Sequence, residues 1–510
     1  MRKQNIRVTI HTAWTSYATM ACVVVTSLLT MRLATGSLTK EEFGLWSFTT
    51  QSVGYFLLLD FGVSNSLSRL FGEPLASGDQ RSINSWFTLS VGVLALQGML
   101  ILAAGMLLRS WVLEWFNIPI ELRPQASQLW IAFLVMQAVN FPLRVSSAIL
   151  YAQNRAYLSN IFPLVTSWIS LLLFYWMLKH GEGVMAYVWS SGTGVVLAGL
   201  AGIIAVILGP DRFRFSIVGV SQSQIKELFS YSFSVFAVSI AVQVVFSSQA
   251  LIITKMLGLA AGAMYNVTSR LPLLAMQMLW RPFDAFCPRW QTAHCAGLDQ
   301  KVASEFGTMS RISFLISAVV AIGLILINPI FVTGWAKGDY FGGSSLNGLL
   351  ALFIMIQTLG HCYSFGFTLH KKMRLFTKVV CISTVLAICL MIMGVKWLGL
   401  AGIPAGLLAT DLLLCVWFNV IQGGALLGVK AGRSIISDLA LATCPIGASL
   451  MLSFYWKDSL PSNLWVQFAL ASLTALILAS PLLWRIWKMG VVFYRKKESF
   501  GNQMPDHLHI

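Results

Sequence analysis

The sequence predicts an all-α polytopic membrane protein with about 14 transmembrane helices, in two related six-helix lobes followed by two further helices. Three observations predict this fold. Of the 510 residues, 57% are hydrophobic and 11% are charged, whereas soluble domains carry about 25% charged residues. The apolar residues form long continuous runs, which favour helices over a β-barrel because backbone groups in lipid must be paired within the segment. Loop motifs recur about 219 residues apart, which indicates an internal repeat.

The apolar runs define the predicted helices one by one. They lie near residues 10–31, 44–66, 83–108, 127–150, 157–178, 185–208, 231–256, 263–287, 309–333, 346–368, 376–396, 401–427, 438–456 and 463–489. The first run follows a basic start but has no small-residue cleavage site, so we interpret it as a transmembrane helix and not as a signal peptide.

The repeat predicts how these helices are grouped. The pairs 219 positions apart are Trp46 and Tyr265, Thr49 and Thr268, and Arg155 and Arg374. Residues 76–81 also resemble residues 296–301, at an offset of 220. The predicted parts are a first lobe at 1–208, a cytoplasmic inter-lobe loop at 209–230, a second lobe at 231–427, two additional helices within 428–489, and a cytoplasmic tail at 490–510.

The distribution of charge predicts the topology. The net charge is +16, which by itself would suit a nucleic-acid partner. With a cytoplasmic N-terminus, however, most Lys and Arg residues fall on the inner side, including clusters at 371–378 and 485–497. This is the positive-inside bias of membrane proteins. It predicts that both termini are cytoplasmic and that the chain binds no nucleic acid.

Several kinds of chemistry lack a motif. The eight cysteines lie mostly in apolar helices, and Cys287, His294 and Cys295 lack the spacing of a zinc site. The sequence contains no GxxxxGK[ST] loop, so we expect no ATP hydrolysis. The longest outer loop, about 109–125, has no room for a soluble catalytic domain. We therefore expect neither an enzyme nor a metal or other cofactor, apart from H⁺ or Na⁺ coupling.

Asp411 is the clearest ionisable residue inside a predicted helix, and such residues are costly in a membrane. One interpretation is a carboxylate that binds a proton or cation and couples transport to an ion gradient. The other is a structural carboxylate paired with an arginine of another helix. Residues 402–406 form a GxxxG motif containing Pro404, which predicts close helix packing just before Asp411.

Arg144 and Arg270 are candidate substrate-binding cations. Each has a proline two residues away, and a proline interrupts the helical hydrogen-bond ladder. A guanidinium in a cavity is suited to a diphosphate or a sugar carboxylate, because it binds pairs of oxygens. The alternative is a structural tether to Asp60, Asp284 or Asp411.

Four other residues are weaker candidates. Arg32 and Lys255 lie at outer helix ends, where they could contact substrate, although snorkelling to the membrane surface also explains them. Asp60 and His361 are further candidates for ion coupling. Capping or an ion pair with a nearby arginine is the alternative for Asp60, and a satisfied core histidine is the alternative for His361.

The segment Glu-Glu-Phe-Gly-Leu-Trp at 41–46, followed by Leu-Asp-Phe-Gly at 59–62 and continuing to Arg69, resembles a known family. It is similar to the Wzx-type oligosaccharide flippases, the polysaccharide-biosynthesis branch of the multidrug/oligosaccharidyl-lipid/polysaccharide (MOP) exporter superfamily. The helix count, the repeat and the short loops agree with this resemblance.

The resemblance implies a MATE-like, V-shaped pair of lobes with a cation-lined cavity. It implies a polyprenyl-diphosphate-linked oligosaccharide as substrate, flipped to the outer leaflet of the bacterial inner membrane by alternating access. The product would serve O-antigen, capsule or exopolysaccharide assembly, together with other assembly proteins. Two alternatives remain: a MATE-like drug or cation antiporter, and a membrane glycan polymerase or ligase.

Overall fold

The chain is a multi-pass membrane protein built from α-helices. A computed structural model describes residues 2–209, 211, 213–216, 220–336, 339–429, 432–455 and 463–501, and these residues contain no β-strand. The chain divides into two compact units, Met1–Ala263 and Met264–Ile510. The predicted tail at 490–510 extends beyond the described residues, and the predicted inter-lobe loop lies partly outside them.

The first unit contains the first ten helices and the start of the eleventh. They are α1 (Arg2–Ser37), α2 (Lys40–Phe56), α3 (Val63–Leu70), α4 (Gly72–Ser77), α5 (Gln80–Trp115), α6 (Arg123–Leu143), α7 (Val145–Ala152), α8 (Ala156–Lys179), α9 (Met185–Ile207), α10 (Gln222–Leu257) and α11 (Leu259–Asp284).

The second unit contains the rest of α11 and nine further helices. They are α12 (Cys287–Cys295), α13 (Asp299–Trp335), α14 (Ser344–Leu369), α15 (Met373–Leu398), α16 (Gly402–Thr410), α17 (Val416–Phe418), α18 (Gly424–Leu426), α19 (Gly432–Tyr455) and α20 (Leu464–Gly501).

The predicted transmembrane helices are confirmed as helices. Length and hydropathy alone give 11 candidate spans in the described residues, and one of them, Met373–Leu426, contains two predicted helices. The two predicted helices missing from these spans are α2, which has 17 residues, and α11, which carries Arg270, Arg281 and Asp284. The second helix of each predicted lobe is therefore the one that departs from a plain lipid-spanning composition.

The predicted continuous helix at 44–66 is interrupted in the structure. α2 ends at Phe56, and a 3₁₀ turn follows at Leu57–Asp60. Phe61 and Gly62 then have φ angles of 49° and 75°. This left-handed conformation ends a helix, and glycine adopts it without a steric cost.

Two other predicted helices are also irregular. The helix predicted at 127–150 is divided into α6 and α7 at Arg144, because Pro142 has no backbone N–H to donate. The helix predicted at 401–427 contains two π-helical segments, Asp411–Cys415 and Asn419–Gly423. Such segments are rare and are found frequently at functional sites.

The second half of the predicted inter-lobe loop is helical. α10 begins at Gln222, where Ser221 and Gln224 form a capping box; Ser221 bonds the Gln224 backbone and the Gln224 side chain bonds the Ser221 backbone. α10 also packs on α2 and α3 of the first unit. The predicted lobe boundaries stay predictions, whereas the compact units divide after Ala263.

The two units have equivalent turns. At three loops, residues in the left-handed conformation recur at nearly the same offset. They are Gly78 and Gly297, Asn154 and Lys371, and Gly181 and Gly399, separated by 219, 217 and 218 positions. The predicted repeat is therefore also present in backbone conformation, which side-chain similarity between apolar helices does not produce.

Small residues bring helices into close contact in both units. Gly98 of α5 lies against the carbonyl of Ala138 on α6, where a Cβ atom would overlap it. In the second unit, Gly402 and Gly406 lie against the backbone of α15. The predicted GxxxG motif thus packs α16 on α15, as small residues do between membrane helices.

Asp438 anchors the last two helices to the second unit. Its carboxylate is 1% exposed and accepts hydrogen bonds from Arg311 Nε at 2.5 Å and Nη2 at 2.9 Å. Arg485 Nε of α20 lies 3.5 Å from the same carboxylate. One buried charge therefore connects α13, α19 and α20, and α20 packs along α13.

We expect Asp438→Ala to destabilise the protein by about 3–5 kcal/mol, because removing one partner leaves buried cations uncompensated. The midpoint of thermal unfolding in detergent measures this loss. Ser437→Ala is the matched control, since Ser437 is exposed and bonds only within its own helix. An equal midpoint for both variants would contradict the anchoring role.

Candidate functional site

Arg144 lies at the break between α6 and α7, where Pro142 interrupts the helix. Its guanidinium lies over the Phe141 ring, 4.5 Å from the centroid. In the described part of the chain it makes no ion pair within 4 Å, although the carboxylate of Asp60 is close enough to act on it electrostatically. Arg144 therefore keeps donors available for an anionic ligand.

Asp60 is engaged locally as well as by Arg144. Its Oδ1 accepts hydrogen bonds from the backbone N–H of Ser64 at 3.3 Å and from the Ser64 hydroxyl at 2.9 Å. Gln97 of α5 donates to the Asp60 carbonyl at 3.1 Å. The predicted capping alternative thus describes the contacts of Asp60, and its coupling role stays a prediction.

Arg144 also lines a cleft of about 170 Å³ within the first unit. Its walls come from α6, α7, α8 and α9, and its polar lining consists of Asn140, Arg144, Ser146, Ser147 and Ser159. The Ser159 hydroxyl is buried and has no hydrogen-bond partner in the described residues. The cleft therefore combines a guanidinium with unsatisfied hydroxyl hydrogen-bonding capacity.

Arg270 lies half-buried near the middle of α11, two residues before Pro272. Because Pro272 has no N–H, the carbonyl of Thr268 loses its usual helical partner. Asn328 of α13 donates to this carbonyl at 3.0 Å. The Thr268 hydroxyl in turn bonds Tyr340 and Gly342. These contacts hold the proline-containing turn that carries Arg270 against the loop before α14.

Asn328 and Asn347 are residues that the sequence interpretation missed. Asn328 Nδ2 also donates to Asn347 Oδ1 at 2.7 Å, and Asn347 donates to the Leu324 carbonyl at 3.0 Å. Both side chains are at most 1% exposed. The available signal was an asparagine inside an apolar run, since such a residue must find a partner there.

His361 pairs with Asp284 in the second unit. Its Nε2 lies 2.9 Å from Asp284 Oδ1, and its ring stacks on Trp280 with centroids 4.2 Å apart and an interplanar angle of 5°. His361 lies ten positions before Lys371, as Arg144 lies ten positions before Asn154. Each unit therefore places a basic residue at the same helical position, close to a carboxylate.

Asp411 begins the first π-helical segment and is 6% exposed. It interacts with Cys415, which also bonds Ser383 of α15. Its Oδ2 has no hydrogen-bond partner, and it makes no ion pair among the described residues. The predicted pairing with an arginine is absent from this part of the chain. A buried carboxylate in this state is stabilised by a proton or a cation.

Lys255 and Arg32 have different surroundings. Lys255 donates to the carbonyl of Trp115 and lies 5.0 Å from the centre of the Trp115 ring, which ties α10 to the end of α5. Arg32 is exposed on α1. The Lys255 contacts describe a structural tether, and a substrate role for either residue stays a prediction.

Two histidines meet in the turns beside α12 and α14. His294 Nδ1 lies 2.5 Å from Asp299 Oδ1, and the His294 and His370 rings are 4.8 Å apart. Burial lowers the pKa of His370 below its usual range, and His294 lowers it further. Within the described residues, no group of three or more His, Cys, Asp or Glu side chains is arranged to hold a metal ion.

Comparison with known proteins identifies the family. A family model described as "Polysaccharide biosynthesis protein" matches residues 12–289, which is more than half of the chain. The chain belongs to this family. The matched residues include both segments from which the sequence resemblance was inferred, at 41–46 and 59–69, and they include Arg144, Arg270 and Asp284. The comparison with curated proteins found no match.

Solved structures support the MOP fold of this polysaccharide biosynthesis protein. An inward-facing multidrug resistance MATE family transporter gives a TM-score of 0.69 at 14% identity, covering 80% of this chain and 96% of that one. The lipid II flippase MurJ gives 0.67 at 14% identity, covering 96% and 99%. A MOP superfamily transporter from Pyrococcus furiosus gives 0.58 at 17% identity, covering 83% and 96%. At these identities the similarity establishes the fold.

The depressed pKa of His370 predicts a pH dependence of stability. The unfolded chain binds a proton near pH 6.5 more readily than the folded chain, so stability is greatest above that pH and falls as the pH decreases below it. We expect the unfolding temperature of the polysaccharide biosynthesis protein to decrease between pH 7.5 and pH 5.5, and His370→Gln to weaken that dependence. His180→Gln is the control, because His180 is exposed. An unchanged slope in His370→Gln would contradict the assignment.

Proposed function

We propose that this polysaccharide biosynthesis protein moves a polyprenyl-diphosphate-linked oligosaccharide from the inner to the outer leaflet of the bacterial cytoplasmic membrane. The oligosaccharide serves the assembly of a surface polysaccharide such as O-antigen, capsule or exopolysaccharide. The two repeat-related units work by alternating access, both termini are cytoplasmic, and other assembly proteins receive the product.

Family membership and fold extent support this proposal. The family is defined by polysaccharide biosynthesis. The MurJ similarity covers 96% of the chain, compared with 80% for the MATE transporter, so it also extends over more of the chain. MurJ is described as a lipid II flippase, which makes a lipid-linked glycan a reasonable substrate class for a relative in fold.

The observation that carries the proposal is the chemistry of Arg144. A guanidinium inside membrane-spanning helices is costly unless it has a partner, and Arg144 makes no ion pair in the described part of the chain. Its planar donors fit the paired oxygens of a diphosphate. Arg270, on the second kinked helix, is the corresponding cation of the other unit, where Asn328 fixes the local backbone.

Asp411 is the residue that we assign to ion coupling. Its unpartnered oxygen is suited to a proton or to Na⁺. Asp60 is already bonded to Ser64 and His361 is close to Asp284, so both are weaker candidates. Exchange of a proton or sodium ion at Asp411 would bias the transport cycle in one direction.

The unpaired carboxylate also favours one competing function. A MATE-like antiporter would use such an acid to bind a cationic drug directly. The basic residues argue for the anionic substrate, because Arg144 would repel a cation. A glycan polymerase or ligase is the third function, and polymerisation of lipid-linked units by the purified protein would favour it.

A strain lacking this protein is expected to accumulate a complete lipid-linked repeat unit and to lose its surface glycan. Mass spectrometry of extracted polyprenyl-diphosphate glycans measures the pool. Complementation by the Arg144→Gln/Arg270→Gln double variant is expected to fail, whereas Arg81→Gln is expected to restore the surface glycan, because Arg81 is exposed. A normal lipid-linked pool with intact surface glycan, in a strain without a second flippase, would refute the proposal.

Asp411→Asn is expected to abolish the response of transport to an imposed ion gradient and to leave the protein folded. The amide has nearly the same shape but cannot carry the exchangeable charge. The measurement is translocation of labelled lipid-linked oligosaccharide in proteoliposomes under a pH or Na⁺ gradient, and the gradient that stimulates the wild type identifies the ion.

The matched control for this experiment is Asp339→Asn, because Asp339 is exposed in the segment between α13 and α14. Equal unfolding temperatures of the two variants would separate coupling from folding. Wild-type stimulation by both gradients in Asp411→Asn would remove Asp411 from the coupling role without affecting the proposed substrate.

A further inference from the structure

The cleft beside Arg144 exists because three helices are irregular at the same level. α6 stops at Pro142 and resumes as α7 after Arg144. α8 contains Pro163, which cannot donate to the carbonyl of Ser159. α9 presents Gly199 and Gly202 at the cleft wall. The irregular backbones leave space where regular helices with side chains would close.

The space has the size of a small anionic group. A volume of about 170 Å³ corresponds to roughly five or six water molecules at about 30 Å³ each. A phosphate or diphosphate group fits this volume, whereas an oligosaccharide does not. The cleft therefore selects for one chemical part of a larger ligand.

The polar groups of the cleft favour an anion. The Arg144 guanidinium supplies several donors and forms no ion pair in the described residues, and the Ser159 hydroxyl is buried without a partner. Ser147 is exposed at the cleft and supplies a second hydroxyl. Hydrogen bonds from a guanidinium to phosphate oxygens are charge-assisted and stronger than neutral ones.

The rest of the lining favours a ligand that belongs to a lipid. Leu150, Phe162 and Val195 line the same cleft, and Val195 is 48% exposed. All four contributing helices lie within candidate membrane spans. An apolar chain can therefore extend along these side chains from a phosphate held at Arg144, and a hydrated soluble anion gains nothing from them.

We propose that this cleft of the first unit is a binding site for the phosphate group of a membrane lipid, held by Arg144 and Ser159. The assignment rests on the proposed function for the identity of that lipid, a polyprenyl diphosphate. The site is formed entirely by α6, α7, α8 and α9. It retains the lipid-phosphate end of the substrate and does not read the sugar, so glycan specificity resides elsewhere in the protein.

The test measures binding without transport. The purified full-length protein, in a neutral detergent free of anionic lipid, is titrated with polyprenyl diphosphate, phosphatidylglycerol or inorganic pyrophosphate, and complexes are counted by native mass spectrometry. We expect polyprenyl diphosphate to bind most tightly. Arg144→Gln is expected to weaken that binding about tenfold or more, and Arg144→Lys is expected to weaken it less.

Two further variants test the cleft itself. Ala198→Leu fills the space without removing a charge and is expected to weaken binding, whereas Ala201→Leu on the same helix lies outside the lining and is expected to bind normally. Ser159→Ala is expected to weaken binding to a smaller extent than Arg144→Gln. Unfolding temperatures close to that of the wild type establish that each variant is folded.

Each contrary outcome has a definite meaning. Equal affinities of the wild type, Arg144→Gln and Ala198→Leu would overturn the site. Tighter binding of phosphatidylglycerol would make it a site for bulk lipid, and equal binding of pyrophosphate would remove the lipid from the assignment; either result overturns the proposal. A protein that moves the glycan but binds nothing here retains the proposed function, and a binding site in a protein whose deletion leaves the lipid-linked pool normal retains only the site.

Discussion

The structure depends on one constraint: inside a membrane, each backbone N–H and C=O must find a partner within the protein. Regular helices satisfy it by themselves, which is why long helices dominate both units. The informative positions are those where a proline breaks the ladder. At Pro272 the freed carbonyl of Thr268 is satisfied by Asn328 from another helix. At Pro142 and Pro163 the interruptions instead accompany a cleft with an arginine in its wall.

The repeat gives the two units the same plan with different chemistry. Ten positions before equivalent left-handed turns, one unit has Arg144 and the other has His361. Arginine remains charged at all physiological pH values, whereas histidine changes its charge near neutrality. Each basic residue interacts with a carboxylate, Asp60 or Asp284. The duplicated framework thus places a permanent charge in one unit and a titratable group in the other.

The charges fall into two physical groups. Asp438 lies in a network with Arg311 and Arg485, where it connects three helices of the second unit. Arg144 and the Oδ2 atom of Asp411 lack comparable partners in the described residues. Because buried charge without a partner opposes folding, groups of the second kind are the ones that a ligand or ion would stabilise. This distinction separates candidate sites from the surrounding framework.

The sequence by itself determined the membrane class, the positions of the helices, the repeat and the family, because hydropathy and loop motifs are local properties of the chain. It also indicated that Asp411, Arg144 and Arg270 lie inside helices. Only the tertiary structure decided which charges have partners: Lys255 contacts Trp115, whereas one oxygen of Asp411 is left unpaired. It likewise decided that α10 packs with the first unit. The physical reason is that these partners come from residues distant in sequence, and a hydropathy pattern carries no information about which helices meet.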